Sequence, residues 1–110
     1  MKDVLEAICK IEEYTDSLTK EEFLKSHLIQ DAVLRRLEII GEAVKNIPSE
    51  VRNIYSDIPW KQMAGMRDVL IHDYFGVNLE RVWLTVKKDL PKVKPKINAV
   101  LKDLSDVSEL

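Results

Sequence analysis

The sequence predicts an all-α protein built around one hydrophobic core, and three observations lead there. The chain has 110 residues, close to one domain of roughly 100–150 residues, so residues 1–110 read as a single domain. It holds only three glycines and four prolines, and no alternating apolar and polar run bounded by turn residues appears, so strands find no support. Apolar residues recur instead at three- and four-residue spacing, the period that gathers side chains on one face of a helix.

Val4, Ile8, Ile11 and Tyr14 share such a face, and the helix that carries them should end near Ser17. Thr19, Lys20, Glu21 and Glu22 match the capping box, in which hydroxyl and carboxylate satisfy each other's free backbone N–H groups, so a new helix starts there and breaks near Ser26. Ile29, Val33, Leu37, Ile40, Val44 and Ile47 then form a continuous apolar stripe, which makes this the central helix, and Pro48 ends it. Its opposite face carries Asp31, Arg35, Glu38, Glu42 and Lys45, the pattern of a solvated ion-pair ladder. Ser56 or Asp57 can cap a helix with Pro59 in its first turn, running to about Phe75 or Gly76. Asn78 caps another with Leu79, Val82, Val86 and Leu90 inward. After Pro91 a last helix turns Val93, Ile97, Val100 or Leu101, and Leu104 to the core, and residues 105–110 should fray.

Hydrophobic residues make up 45% and charged residues 33% of the chain, too apolar for a disordered tail and too charged for a membrane bundle. No apolar run reaches the roughly 18–20 residues of a membrane span, and charges fall where a signal peptide needs its apolar stretch, so a cytoplasmic protein is expected. Cys9 is the only cysteine; it excludes an intramolecular disulfide or a cysteine-based zinc cluster and reads as a small core residue. The net charge of −2 speaks against salt-driven coating of nucleic acid but leaves room for a local site. Lys87, Lys88, Lys92, Lys94 and Lys96 are basic enough to meet phosphates, although such a cluster is more often a solvated face.

One helix breaks its own pattern. Trp60, Met63, Ala64, Leu70, Ile71 and Tyr74 form an apolar stripe, and Arg67 falls in its middle. A guanidinium buried without a partner costs several kcal/mol, so Arg67 must pair with a carboxylate such as Glu38 or Glu42, face a subunit interface, or line a polar cleft as a bidentate anion site. A second stripe joins Lys61, Gly65, Asp68 and His72. Asp68, one turn before His72, can orient the imidazole and raise its pKa toward neutrality for acid–base work; the plainer reading is a histidine that caps the helix C-terminus. His27 has no such companions and reads as surface. On a helix Arg67 and His72 point about 140° apart, so one copy cannot aim both at one atom, whereas two copies paired through this helix can.

The string Arg67-Asp-Val-Leu-Ile-His72-Asp-Tyr74 resembles the R-x4-H-x-Y motif of HepT-type proteins, the toxin branch of the HEPN ribonuclease superfamily. Pro59-Trp60 followed by Gly65-Met66-Arg67, the Gly41-Glu42-Ala43 signature of the long helix, and Leu90-Pro91 resemble the family's surroundings in the same order. Where the superfamily often has Asn after the Arg, this chain has Asp68, which keeps the histidine-orienting role and adds repulsion toward phosphate. The resemblance implies a HEPN-type antiparallel bundle of about five helices, a homodimer that cuts RNA without metal or other cofactor. It further implies a type VII toxin–antitoxin pair, in which a nucleotidyltransferase antitoxin silences the toxin by attaching AMP to the motif tyrosine. Carried over by position, Arg67 and His72 are the catalytic pair, Tyr74 the AMP acceptor, and Asp68 and Glu42 supporting residues.

These residue types suit that chemistry. Metal-free RNA cleavage needs a base for the 2′-OH, an acid for the departing 5′-oxygen and a cation for the crowded phosphorane, which two His72 and two Arg67 can supply. Metal catalysis is the poorer reading, since His72 and Asp73 diverge on a helix and no H-x3-H accompanies them. A rival from another class is a non-catalytic helical partner whose Arg67, His72 and Tyr74 form a docking surface for a nucleotidyltransferase.

Overall fold

The computed structural model describes residues 1–65 and 78–108, with side-chain surroundings through residue 104. The described residues form helices and connecting turns, with no strand. α1 spans Lys2–Thr15, α2 Lys20–Lys25, α3 His27–Lys45 and α4 Ser49–Ile54. α5 starts at Trp60 and is described through Gly65. α6 (Leu79–Leu84) passes through a π-helical turn, Thr85–Asp89, into α7 (Leu90–Ser108).

The core follows the predicted stripes except at the end of the last one, where Leu104, expected in the core, is 41% exposed. Val4, Ile8 and Ile11 of α1 are fully buried, as are Val33, Ile40 and Val44 of α3, and these two helices form the most extensive pairing among the described elements. Val82, Val86, Leu90, Val93, Ile97 and Val100 extend the core along α6 and α7. Each such side chain contributes about 1.5–3 kcal/mol by leaving water. The capping box is present: the Thr19 N–H donates to Glu22 Oε1 at 3.0 Å and the Glu22 N–H to Thr19 Oγ1 at 3.2 Å. Ser26 separates α2 from α3 and caps α3 by accepting from the Ile29 N–H at 3.3 Å. The ladder face of α3 is solvated, with Arg35 paired to Glu38 at 3.2 Å.

Three expectations need correcting. Pro91 does not end a helix. Its missing N–H and its ring conflict with ordinary α pairing to residue 87, and the π turn absorbs the conflict by widening the backbone, so that the Leu90 N–H reaches Thr85 O five residues back. The helix therefore continues, and Pro95 also lies inside it. Cys9 is half-buried at the margin of the core. Pro59 occupies the N-cap position of α5 rather than its first turn, its carbonyl accepting the Met63 N–H at 3.1 Å. The sequence reading also passed over α4, which buries none of its residues fully, and the buried Gln30, whose Nε2 donates to Phe23 O at 3.0 Å. Among the described residues no helix is long and apolar enough to cross a membrane.

Candidate functional site

Arg67, Asp68, His72 and Tyr74 lie outside the described residues, so the site is built here from its two flanks and the surface between them. The leading flank is α5. Trp60 and Met63 are buried in the core, the Trp60 N–H donates to Ile58 O at 2.8 Å, and its indole Nε1–H donates to Tyr55 O at 3.0 Å. A large aromatic with both N–H groups satisfied fixes where α5 begins. Tyr55 itself donates its hydroxyl to Asp103 Oδ2 at 3.0 Å, tying the same turn to α7. Partial burial first, then the neighbouring Asp103 carboxylate, holds this phenol above its ordinary pKa of 10.0.

The trailing flank is α6. Asn78 caps it as its sequence position suggests, Oδ1 accepting from the Glu80 and Arg81 N–H groups at 3.1 and 3.2 Å. Val82 and Val86 then anchor the helix in the core, and Phe23 meets Trp83 with ring centroids 5.2 Å apart.

Between the flanks lies a groove of about 760 Å³. Its described floor is apolar, made by Leu37 of α3, Met63 of α5, and Val82, Leu90 and Val93 of α6 and α7. Its rim carries Gln62, Arg81, Lys92 and Lys96, with the carboxylates of Asp57 and Asp89. Lys96 is committed, its Nζ donating to Asp57 O at 3.1 Å and lying 3.9 Å from Asp57 Oδ2. Gly65 is on the groove wall, and no described atom lies within 4 Å of where a Cβ there would sit.

Glu42 is the one predicted site residue within the described part. It is exposed on the outer face of α3, with its backbone carbonyl accepting from Asn46 Nδ2 at 3.3 Å. Glu38, the other suggested partner of Arg67, is held by Arg35. His27 is exposed, as expected of a surface histidine. The lysine cluster is largely structural. Lys87 donates to Thr15 O at 3.0 Å and sits 4.8 Å from the centre of the Trp83 ring, while Lys94 bonds Glu12 Oε2 at 3.1 Å, which raises its pKa above 10.5. Arg81 escaped the sequence reading; only its place on the groove rim marks it. Among the described residues no three His, Cys, Asp or Glu side chains gather as a metal site.

The chain is 49% identical over 102 residues to a protein of Thermococcus cleftensis named "Probable ribonuclease HepT", covering 93% of each. It is 45% identical over 107 residues to a "Putative RNase" of Methanocaldococcus jannaschii, covering 97% of this chain and 88% of the relative. It is also 52% identical over 104 residues to a "Gamma-glutamylcyclotransferase and putative RNase" of the same organism, covering 94% of this chain but only 47% of that longer protein. No solved structure matches the chain. The Ribonuclease HepT-like family matches residues 4–100, a span holding both flanks and the whole R-x4-H-x-Y string, and the chain belongs to that family.

Proposed function

We propose that this HepT-family ribonuclease is the toxin of a toxin–antitoxin pair, a homodimeric endoribonuclease that needs no metal and is silenced by AMP transfer to Tyr74. The observation that carries the reading is the Arg67–His72–Tyr74 string in a chain that matches the family from residue 4 to residue 100. One His72 takes the proton of the ribose 2′-OH, whose oxygen attacks the adjacent phosphorus. The phosphorus–5′-oxygen bond breaks as the second His72 donates a proton to the leaving oxygen. Arg67 spans the phosphorane oxygens with two N–H groups, an interaction stronger in the transition state than in the ground state. The products are a 2′,3′-cyclic phosphate and a free 5′-hydroxyl. Two copies are required because one helix cannot direct both residues at one phosphate.

The deciding experiment is cleavage of mixed RNAs by purified protein in EDTA. Cutting in EDTA, lost in His72→Ala, is expected. Intact RNA in EDTA with cutting restored by magnesium overturns the metal-free mechanism. RNA left intact under both conditions, with the protein still binding a nucleotidyltransferase, favours the docking partner instead.

A further inference from the structure

We propose that the groove between α5 and the α6–α7 helix is a track for single-stranded RNA, with Arg81 and Lys92 as its phosphate-binding residues. The inference rests on the ribonuclease reading and extends it to residues outside the motif. Leu37, Met63 and Val93 close the base of the groove from within the core, so the strand is held at the rim, through its phosphates.

Chemistry on the rim singles out two cations. Lys96 is spent on the Asp57 carbonyl, and the Thr85 hydroxyl donates to Arg81 O at 3.1 Å. Arg81 and Lys92 are exposed, and their side chains make no ion pair or hydrogen bond with any described residue. Both project from the continuous α6–α7 helix into one groove. That continuity comes from the π turn at Thr85–Asp89: a break at Pro91 would have freed Lys92 to take another direction. Eleven residues separate them, roughly 16 Å along a helix, so they engage phosphates several nucleotides apart rather than one phosphate together. Asp89 on the same rim keeps phosphate away from its own position and offers an acceptor to a base amino group. Such a rim binds locally and does not coat duplexes, as the net charge of −2 requires.

The test uses the full chain and a fluorescein-labelled single-stranded RNA, with Arg81→Gln, Lys92→Gln and the double variant. Lys2→Gln/Lys25→Gln serves as a control with the same charge loss away from the groove. Affinity is read by polarisation across a salt series, and cleavage by KM and kcat. Each groove substitution should raise KM about tenfold with kcat little changed, because a phosphate contact far from the reacting bond is uniform binding. Each should also lower the slope of log affinity against log salt by about 0.7. The control should match wild type. A wild type that cuts RNA, with groove variants equal to it in KM and salt slope, overturns the track while leaving the ribonuclease reading intact. So do groove variants that change the oligomeric mass at unchanged KM, which would give the groove to a second copy. A wild type that neither binds nor cuts RNA overturns both.

Discussion

The Trp60 indole donates to the Tyr55 carbonyl at 3.0 Å, and this bond closes the turn from which the motif-bearing segment departs. Trp60 is 7% exposed, so Trp60→Phe removes a buried donor and part of the ring's packing, while the Tyr55 carbonyl keeps the Ile58 N–H at 3.1 Å. A loss of about 2 kcal/mol is expected in urea unfolding. Tyr55→Phe removes only the more exposed bond to Asp103 and should cost clearly less than Trp60→Phe. Equal costs would mean that the turn is held by something other than the indole.

Arg52 closes the C-terminal end of α3. Its Nε donates to Ile47 O at 3.1 Å and its Nη2 to Val44 O at 2.7 Å, so one cation bonds the Ile47 carbonyl and joins the Ile47 N–H, at 3.1 Å, on the Val44 carbonyl at the negative end of the helix. Arg52→Ala should destabilise by about 2 kcal/mol, lowering Tm by roughly 10 °C. Arg52→Lys should recover less than half of that, since a point charge cannot serve both acceptors in the fork geometry. A full recovery would reduce the role of Arg52 to its charge.

What the sequence disclosed, and what it withheld, divides along physical lines. The α1 and α3 stripes, the Thr19–Glu22 box and the Asn78 cap were readable because each depends on residues within two turns of one another. Arg52 was not, because its acceptors are set by how α4 folds back on α3. α4 itself offers no stripe: Val51 is only half-buried and Ile54 is 72% exposed. Pro91 misled because proline signals a broken α ladder without saying whether the chain turns away or rewinds into a π turn. At the site, the motif string was legible as a resemblance. On the rim, Lys92 was legible only as one of five clustered lysines and Arg81 not at all, because their common direction depends on that rewound helix.

Alkaline pH should loosen the fold through two groups. Lys94 is raised by its hydrogen bond and Coulomb attraction to Glu12, and Tyr55 by burial and then Asp103. Both bind their protons more tightly folded than unfolded. Their stabilisation is therefore fully present below the unfolded values near 10 and is lost as pH rises through the folded ones. Unfolding curves between pH 8 and pH 11.5 should show a falling midpoint, and Glu12→Gln should make the fall shallower. An identical slope in Glu12→Gln would remove Lys94 from the account.

For the motif pair, His72→Ala should abolish RNA cleavage and cellular toxicity while changing stability by at most about 2 kcal/mol, the largest contribution expected of a helix-end imidazole. Arg67→Lys should be nearly as inactive, because an ammonium cannot reproduce the bidentate fork on the phosphorane. Light scattering at micromolar concentration should give twice the 12.7 kDa of one chain. A mass of one chain at every dilution, in protein that still cuts RNA, would rule out the composite site.

On the proposed reading control is expected at Tyr74, since seven helical steps of 100° would set it about 20° from Arg67, two residues beyond His72. A free phenol has a pKa near 10 and is a poor nucleophile at neutral pH, so a nucleotidyltransferase must activate it. The phenolic oxygen attacks the α-phosphorus of ATP, the bond to the β-phosphate oxygen breaks, pyrophosphate leaves, and the phenol proton passes to a base on the transferase. The attached AMP brings a phosphodiester charge beside Arg67 and fills the space that RNA needs. Protein made with an active partner transferase should gain one or more AMP masses per chain and lose cleavage. Tyr74→Phe should stay folded, cut RNA and resist silencing. Modification and silencing of that variant through another residue would show that Tyr74 does not gate the cleft.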